Sequence, residues 1–196
     1  GGMGAYSPAP VFTDLLRQKA RDKIMLPLVR AMKAEGRPYQ GILYAGLMLT
    51  KWGPKTLEFN ARFGDPETQP IMMRLQSDLV ELCLAALDHR LHEKTTVWDE
   101  RPALGVVLAA GGYPESYKKG NIIEGLNSAT TPEQKIFHAG TCLEKNQTVT
   151  AGGRVLCACA LGNNLSDAQT NAYQLVSTIH WEQMYYRTDI GFKALT

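Results

Sequence analysis

The sequence has 196 residues, of which 44% are hydrophobic and 20% are charged, with a formal net charge of +2. This length suits one large or two small globular domains, and the nearly balanced charge argues against the concentrated basic face that nucleic-acid binding requires. No apolar run reaches the ~20 residues of a membrane helix, and no signal peptide is recognisable. We therefore expect neither a nucleic-acid partner nor a membrane partner.

The four cysteines lack the spacing of a metal site. Cys157 and Cys159 alternate along one predicted strand, and Cys83 and Cys142 stand alone. This pattern favours buried, reduced thiols, which are typical of a cytoplasmic protein.

The N-terminal part begins with residues 1–10, which hold three glycines and two prolines and predict a loop. Its bare backbone amides can approach an anionic substrate, although a flexible terminus is the preferred interpretation of its conformation. A helix is expected from Thr13 or Asp14, with a kink or restart at Pro27 and an end at Gly36. Its inward face contains Leu16, Ala20 and Ile24.

A β-hairpin follows, with one strand over residues 41–49 and a return strand over residues 55–60. The period of two directs Leu57 and Phe59 into a core and directs Glu58 and Asn60 towards a cleft. A carboxylate and an amide carbonyl on one strand face are hard oxygen donors, which suit Mg²⁺ or Mn²⁺.

The segment after this strand is also rich in polar groups. Arg62 offers a planar fork for phosphate or carboxylate, and a Gly-Asp-Pro-Glu turn exposes Asp65 and Glu67. One amphipathic helix is predicted from Pro70 to about Leu91. From the residues alone, an ordinary surface hairpin end with salt bridges is an equally acceptable interpretation.

Residues 94–102 are polar and end in proline, and the pattern beyond them changes to short strands. The predicted strands cover residues 103–110, 121–124, 135–139 and 154–161. A capping box at residues 166–169 opens a final helix, and the aromatic residues Trp181, Tyr185 and Tyr186 are expected to pack.

Several of these segments resemble one enzyme family. Residues 62–69, Arg-Phe-Gly-Asp-Pro-Glu-Thr-Gln, resemble the signature of glycinamide ribonucleotide synthetases (phosphoribosylamine–glycine ligases), and Glu58-Phe-Asn60 resembles the metal-binding strand of the wider ATP-grasp family. Residues 1–8 are similar to a glycine-rich loop of the same enzymes. Residues 111–114, 137–141 and 152–156 resemble parts of their C-terminal domain.

The resemblance implies an α+β fold, in which residues 1–97 form the C-terminal lobe of an ATP-grasp domain and residues 98–196 form a small β-rich domain. It implies a ligase of purine biosynthesis that joins glycine to 5-phosphoribosylamine through glycyl phosphate, while ATP becomes ADP and phosphate. Glu58 and Asn60 would hold Mg²⁺ or Mn²⁺, and together with Arg62 they would bind the metal–ATP complex. Arg62, Asp65 and Glu67 would be the catalytic residues. For Asp65 and Glu67 two roles stay open, namely bracing the loop or contacting the substrate amine.

The resemblance also implies that the chain is a C-terminal piece whose partner is the N-terminal part of the same enzyme, so we expect the piece alone to be inactive. Two other functions remain open. One is a different ATP-grasp ligase or a carboxylase relative, and the other is a non-catalytic binding or interaction fragment. His138 and Arg154 receive no catalytic role.

Overall fold

The computed structural model describes residues 2–129 and 131–195, which combine helices with antiparallel sheets in an α+β fold. The strands are β1 (Gly4–Ser7), β2 (Tyr44–Thr50), β3 (Gly53–Asn60), β4 (Ala103–Ala109), β5 (Gln134–His138), β6 (Thr141–Glu144), β7 (Gln147–Thr150) and β8 (Arg154–Leu161). The helices are α1 (Asp14–Ala20), α2 (Leu26–Ala34), α3 (Thr68–Arg74), α4 (Leu79–Leu87), α5 (Leu165–Val176) and α6 (Phe192–Leu195).

The chain forms two compact units, and both are discontinuous in sequence. The first unit comprises the residues up to Pro8, Asp65–Leu75 and the residues from Trp98 onward. The second unit comprises Ala9–Gly64 and Gln76–Val97. The sequence prediction that one domain covers residues 1–97 and a second covers residues 98–196 stays a prediction.

The first unit is built on an antiparallel sheet with the strand order β1-β4-β8-β5. Every residue of β4 is buried, because α5 and α3 both pack against β4 and β8. Leu104, Val106 and Leu108 join the main core with α5, whereas Ala103 packs on the α3 side. A strand that is covered on both faces has a continuous apolar sequence, which is what residues 103–110 contain.

The second unit contains the β2–β3 hairpin and three helices. Thr13 caps α1 by accepting a hydrogen bond from the amide of Leu16, as expected. The predicted interruption near Pro27 is a π-helical turn at Arg21–Met25, since proline has no N–H for the regular helical hydrogen bond. The φ angle of +74° at Gly36 marks the end of the helical segment.

Residues 4–7 correct the expectation of an N-terminal loop. They form β1, which pairs with residues 103–106 of β4. The glycine content suggested a flexible terminus, but pairing with β4 satisfies backbone groups that a terminal loop would leave to solvent. The prediction of a loop over residues 1–10 was therefore wrong for this segment.

The single helix predicted from Pro70 to Leu91 is also wrong. The structure has two helices, α3 and α4, separated by the extended residue Leu75. The carboxylate of Asp78 caps α4 by accepting hydrogen bonds from the amides of Val80 and Glu81, at 2.7 and 3.1 Å. An aspartate at the N-cap marks the start of a new helix. The apolar residues spaced three and four apart continue across Asp78, so the sequence pattern alone predicted one helix.

Three further details differ from the sequence predictions. Residues 121–124 form only isolated bridges, at Ile122 and Glu124, and the β6–β7 hairpin was not anticipated. Helix α5 is capped by Asn164, two residues before the expected capping box, because its side-chain oxygen accepts from the amide of Asp167 at 2.9 Å. Of the tail aromatics, Trp181 is fully buried, as expected, and Tyr185 is half exposed.

The cysteines match the prediction only in part. All four are free thiols, but only Cys157 and Cys159 are buried, whereas Cys83 and Cys142 are exposed. In the described residues, no helix has the length and apolarity needed to cross a bilayer.

Candidate active site

The β2–β3 hairpin carries the first group of predicted site residues. Its register is regular except for a bulge: Gly46 pairs with Glu58, but the next residue, Leu47, pairs with Thr56, so that Leu57 has no direct partner. A Cβ atom on Gly46 would lie 3.1 Å from Cγ of Glu58. The glycine therefore leaves the room in which the Glu58 side chain lies across the neighbouring strand.

Three polar side chains form a continuous row at the end of β3. The amide nitrogen Nδ2 of Asn60 donates to Oε1 of Glu58 at 3.1 Å, and Nη2 of Arg62 donates to Oδ1 of Asn60 at 3.2 Å. Nη1 of Arg62 donates to the carbonyl of Phe63 at 2.8 Å. The structure thus brings together the three residues for which metal and nucleotide binding was predicted.

The apolar side chains of β3 do not enter a core, which corrects the expectation for Leu57 and Phe59. Leu57 is 65% exposed and Phe59 is 39% exposed. The bulge interrupts the alternation on which the prediction relied, and Ala20 and Ala85 are the buried hydrophobic residues in the described part of the second unit. The polar row was predictable from the sequence because it depends only on local spacing.

The oxygen types in this row suit a small divalent cation, although in the structure Oδ1 of Asn60 accepts from Arg62 and Nδ2 of Asn60 faces Glu58. Glu58 supplies a carboxylate and Asn60 an amide oxygen, which are hard ligands of the kind that Mg²⁺ and Mn²⁺ bind while retaining several waters. Both side chains lie in the accessible part of the hairpin, within hydrogen-bonding distance of each other. In the described part of the chain, no cluster of three or more His, Cys, Asp or Glu residues forms a denser metal site.

Asp65 and Glu67 occupy a different setting, in the first unit. Oδ2 of Asp65 accepts a hydrogen bond from Nη2 of Arg154 at 2.5 Å, and the carbonyl of Asp65 accepts from Nη1 of Arg154 at 2.9 Å. Glu67 is the N-cap residue of α3, and its carbonyl accepts from the amide of Ile71. These two carboxylates belong to the first unit, whereas Glu58, Asn60 and Arg62 belong to the second.

Arg154 is a residue whose role the sequence left unassigned. Besides holding Asp65, its Nη1 donates to the carbonyl of Gly2 at 3.2 Å, and only 20% of its side chain is exposed. A Cβ atom on Gly2 would lie 2.8 Å from Cδ of Pro66, so the two segments touch directly. Arg154 therefore joins the glycine-rich segment that precedes β1 to the acidic turn. The only sequence signal for this contact was an arginine directly after two glycines at the start of a buried strand.

Comparison with known proteins identifies the class to which the hairpin and its polar row belong. Residues 1–68 match the family model described as "Phosphoribosylglycinamide synthetase, ATP-grasp (A) domain". The chain therefore contains part of an ATP-grasp domain, the class in which the Glu58–Asn60 strand was placed by resemblance.

Residues 103–193 match the companion model, "Phosphoribosylglycinamide synthetase, C domain". The chain belongs to the phosphoribosylglycinamide synthetase family. It is 57% identical over its full length to the phosphoribosylamine–glycine ligase of Vibrio vulnificus strain CMCP6. It is likewise 57% identical over 197 aligned residues to the enzyme of that name from Escherichia coli K12. The chain spans 46% of each of these relatives, and so corresponds to about half their length.

Solved structures agree with this assignment. The phosphoribosylamine–glycine ligase of Thermotoga maritima superimposes with a TM-score of 0.79 at 34% identity, over 97% of this chain and 46% of that one. The urea carboxylase of Kluyveromyces lactis superimposes with a TM-score of 0.64 over 95% of this chain and 16% of that one, but at 15% identity this likeness concerns the fold alone.

Proposed function

We propose that a protein containing this chain joins glycine to 5-phosphoribosylamine, with ATP converted to ADP and phosphate, as a step of purine biosynthesis in the cytoplasm. The observation that carries the proposal is the row of Glu58, Asn60 and Arg62 at the end of β3, in a segment that matches the ATP-grasp model of this ligase family. The names of the relatives supply the two substrates.

The reaction has two bond-forming steps. A carboxylate oxygen of glycine attacks the γ-phosphorus of ATP, so that a new O–P bond forms and ADP leaves as the bond to the γ-phosphorus breaks. The amine nitrogen of phosphoribosylamine then attacks the acyl carbon of glycyl phosphate. A C–N bond forms, phosphate leaves, and the nitrogen gives up a proton.

The protein's task in such a reaction is to hold charged groups in line and to offset the negative charge of the transferred phosphoryl group. Arg62 is suited to that task because its guanidinium can turn from Asn60 towards phosphate or carboxylate oxygens with two parallel hydrogen bonds. Asp65 supports the turn that follows Arg62, since its carboxylate and its carbonyl are both held by Arg154. Glu67 supports the start of α3.

Glu58 and Asn60 would hold Mg²⁺ or Mn²⁺ through one carboxylate and one amide oxygen. Such a cation would supply positive charge that offsets the negative charge of the phosphate groups during phosphoryl transfer. Gly46 supports this role, because its missing side chain leaves space for Glu58.

Two other functions compete with this proposal. A carboxylase relative would use bicarbonate where the ligase uses glycine, and the relatives named phosphoribosylamine–glycine ligase at 57% identity favour the ligase. A non-catalytic fragment would bind a divalent metal without turning over ATP. The 196-residue chain by itself is expected to behave in this second way, because two protein oxygen ligands alone bind Mg²⁺ weakly and an acyl phosphate open to water is hydrolysed.

The test measures ADP and phosphate release by a protein that carries this chain at the length of its relatives. Glycine with phosphoribosylamine should support turnover and yield glycinamide ribonucleotide, whereas bicarbonate should not. The same assay on the 196-residue chain should show no turnover. Bicarbonate-dependent ADP formation by the longer protein would contradict the ligase proposal.

A further inference from the structure

The bulge at Leu57 decides which side chains of the hairpin share a face with the polar row. The other strand, β2, has no extra residue, so its side chains alternate regularly and Gly46 and Met48 lie on the same face. Residues that are directly opposite in an antiparallel pair also share a face. Glu58 is opposite Gly46, and Lys55 is opposite Met48. Lys55 and Glu58 therefore lie on one face of the hairpin.

A strand without the bulge would have placed Lys55 on the opposite face. Side chains alternate along a strand, so the period of two groups Lys55 with Leu57 and not with Glu58. The extra residue Leu57 shifts the pairing by one position, and this shift moves Lys55 to the face of Glu58. Gly46 identifies that face, since a Cβ atom there would lie 3.1 Å from Cγ of Glu58.

The ammonium group of Lys55 is available to a ligand. Lys55 is exposed, and among the described residues none forms an ion pair or a side-chain hydrogen bond with it. Lys51, in the turn of the same hairpin, differs because its Nζ lies over the ring of Trp52, 4.5 Å from the centroid. The face of the polar row thus contains a positive charge that no protein group neutralises.

The position of Lys55 suits a chain of phosphates. Gly46 and Met48 are two residues apart on β2, so the pairs that contain Glu58 and Lys55 are about 7 Å apart along the strand direction. The flexible four-carbon stem of lysine can cross much of that distance. Arg62 lies on the other side of Glu58 along the chain, so the face has one cation before its oxygen donors and one after them.

We propose that Lys55 is a further nucleotide-binding residue, whose ammonium group donates charge-assisted hydrogen bonds to phosphate oxygens of ATP on the face of Glu58 and Asn60. The identity of the anion rests on the proposed function. The placement of Lys55 rests on the register of the hairpin alone. The bulge acquires a role in this way, because it adds a cation to a face that otherwise offers oxygen donors.

The experiment measures equilibrium binding of ATP, in the absence of glycine, to a protein that carries this chain at the length of its relatives. Lys55→Gln should weaken ATP binding by at least about fivefold, through loss of a charge-assisted contact, and should leave adenosine binding unchanged. Lys55→Arg keeps the charge and should retain most of the affinity. Lys51→Gln, which removes a lysine from the turn of the same hairpin, is the matched control and should have no effect.

An unchanged affinity for ATP in Lys55→Gln, or an equal loss of affinity for ATP and for adenosine, would overturn the proposal. Amide resonances of residues 44–60 show whether the substitution leaves the hairpin folded. If it does not, the resonances of the Lys55 side chain in the unmodified protein decide the question, because ATP should shift them and adenosine should not.

Failure of the ligase proposal is a separate result. Binding of ATP through Lys55 by a protein that does not ligate glycine would contradict the function and leave the contact in place. Ligation of glycine with full ATP affinity in Lys55→Gln would do the reverse.

Discussion

Arg154 and Asp65 form a salt bridge in which Nη2 lies 2.5 Å from Oδ2, although 89 residues separate them in the sequence. The same guanidinium also donates to two backbone carbonyls, those of Asp65 and Gly2. A single side chain from the start of β8 thereby fixes two separate segments of the first unit. Because of these additional contacts, we expect Arg154 to contribute more to the stability of the fold than an isolated ion pair at the surface.

Substitution of Arg154 by lysine tests this role. Lysine keeps the charge but cannot reach the carboxylate and both carbonyls with one planar group, so we expect a loss of about 1 kcal/mol in the free energy of unfolding. Urea unfolding followed through the fluorescence of the buried Trp181 measures this loss. Arg90→Lys is the control, because the Arg90–Asp88 pair is exposed and should contribute about 0.5 kcal/mol or less. Equal effects of the two substitutions would contradict the bracing role.

Glu58→Gln tests the proposed metal ligand. The substitution keeps the shape of the side chain and removes its charge, so a protein of the relatives' length should lose most of its ATP turnover at limiting Mg²⁺. Binding of Mn²⁺, measured through its paramagnetic effect on nearby resonances of the 196-residue chain, should weaken as well. Glu35→Gln, an exposed glutamate of the same unit, should leave both measurements unchanged. Turnover near that of the unmodified protein would remove Glu58 from the metal site.

Arg62→Lys tests whether geometry matters beside charge. A lysine cannot make two parallel hydrogen bonds, and it also cannot contact Asn60 and the carbonyl of Phe63 together. We expect kcat/KM to fall by at least about tenfold, which corresponds to ~1.4 kcal/mol of transition-state stabilisation. Steady-state kinetics with glycine as the varied substrate measure it. Unchanged kcat and KM would mean that Arg62 only packs against the hairpin.

The cysteines should separate into two classes during alkylation at mildly alkaline pH. Burial raises the pKa of Cys157 to about 12, with a further contribution from the nearby Asp65 carboxylate, and burial also raises the pKa of Cys159. Neither thiol should react with iodoacetamide while the protein is folded, whereas the exposed Cys83 should react readily. Cys142 should react more slowly than Cys83, because desolvation and the neighbouring Glu144 raise its pKa. Peptide mass spectrometry before and after unfolding gives the result, and rapid labelling of native Cys157 would contradict the burial.

Asp99 should make the first unit sensitive to acid. Hydrogen bonds from the side chain and then the amide of Arg101 lower the pKa of Asp99 below its ordinary value of 3.8. Since the folded-state pKa is the lower one, the stabilisation is present above the ordinary value and is lost as the pH falls through the folded-state pKa. Asp99→Asn should therefore destabilise the protein at neutral pH, and the difference should shrink in strong acid. Glu100→Gln is the neighbouring control, and a difference that stayed constant down to the lowest pH would exclude this linkage.

Local patterns in the sequence predicted the parts of the fold that depend on local spacing. The strand over residues 154–161, the cap at Thr13 and the shared face of Glu58 and Asn60 all follow from propensities and from the period of two. The burial of Leu57 and Phe59 was predicted incorrectly, because a bulge depends on the partner strand and is invisible in one strand's pattern. The salt bridge between Arg154 and Asp65 could not be predicted either, because spacing along the chain contains no information about contacts between distant segments.

The order of the strands in the first unit has a consequence for synthesis of the protein. Gly4 pairs with Val106, and the interior strand β8 pairs with both β4 and β5, so the earliest strand of the sheet has no neighbour until much later residues have left the ribosome. Contacts that close such long loops form slowly. Nascent chains should therefore expose the apolar residues of β4 until β8 has been made, and aggregation is most favoured during that interval.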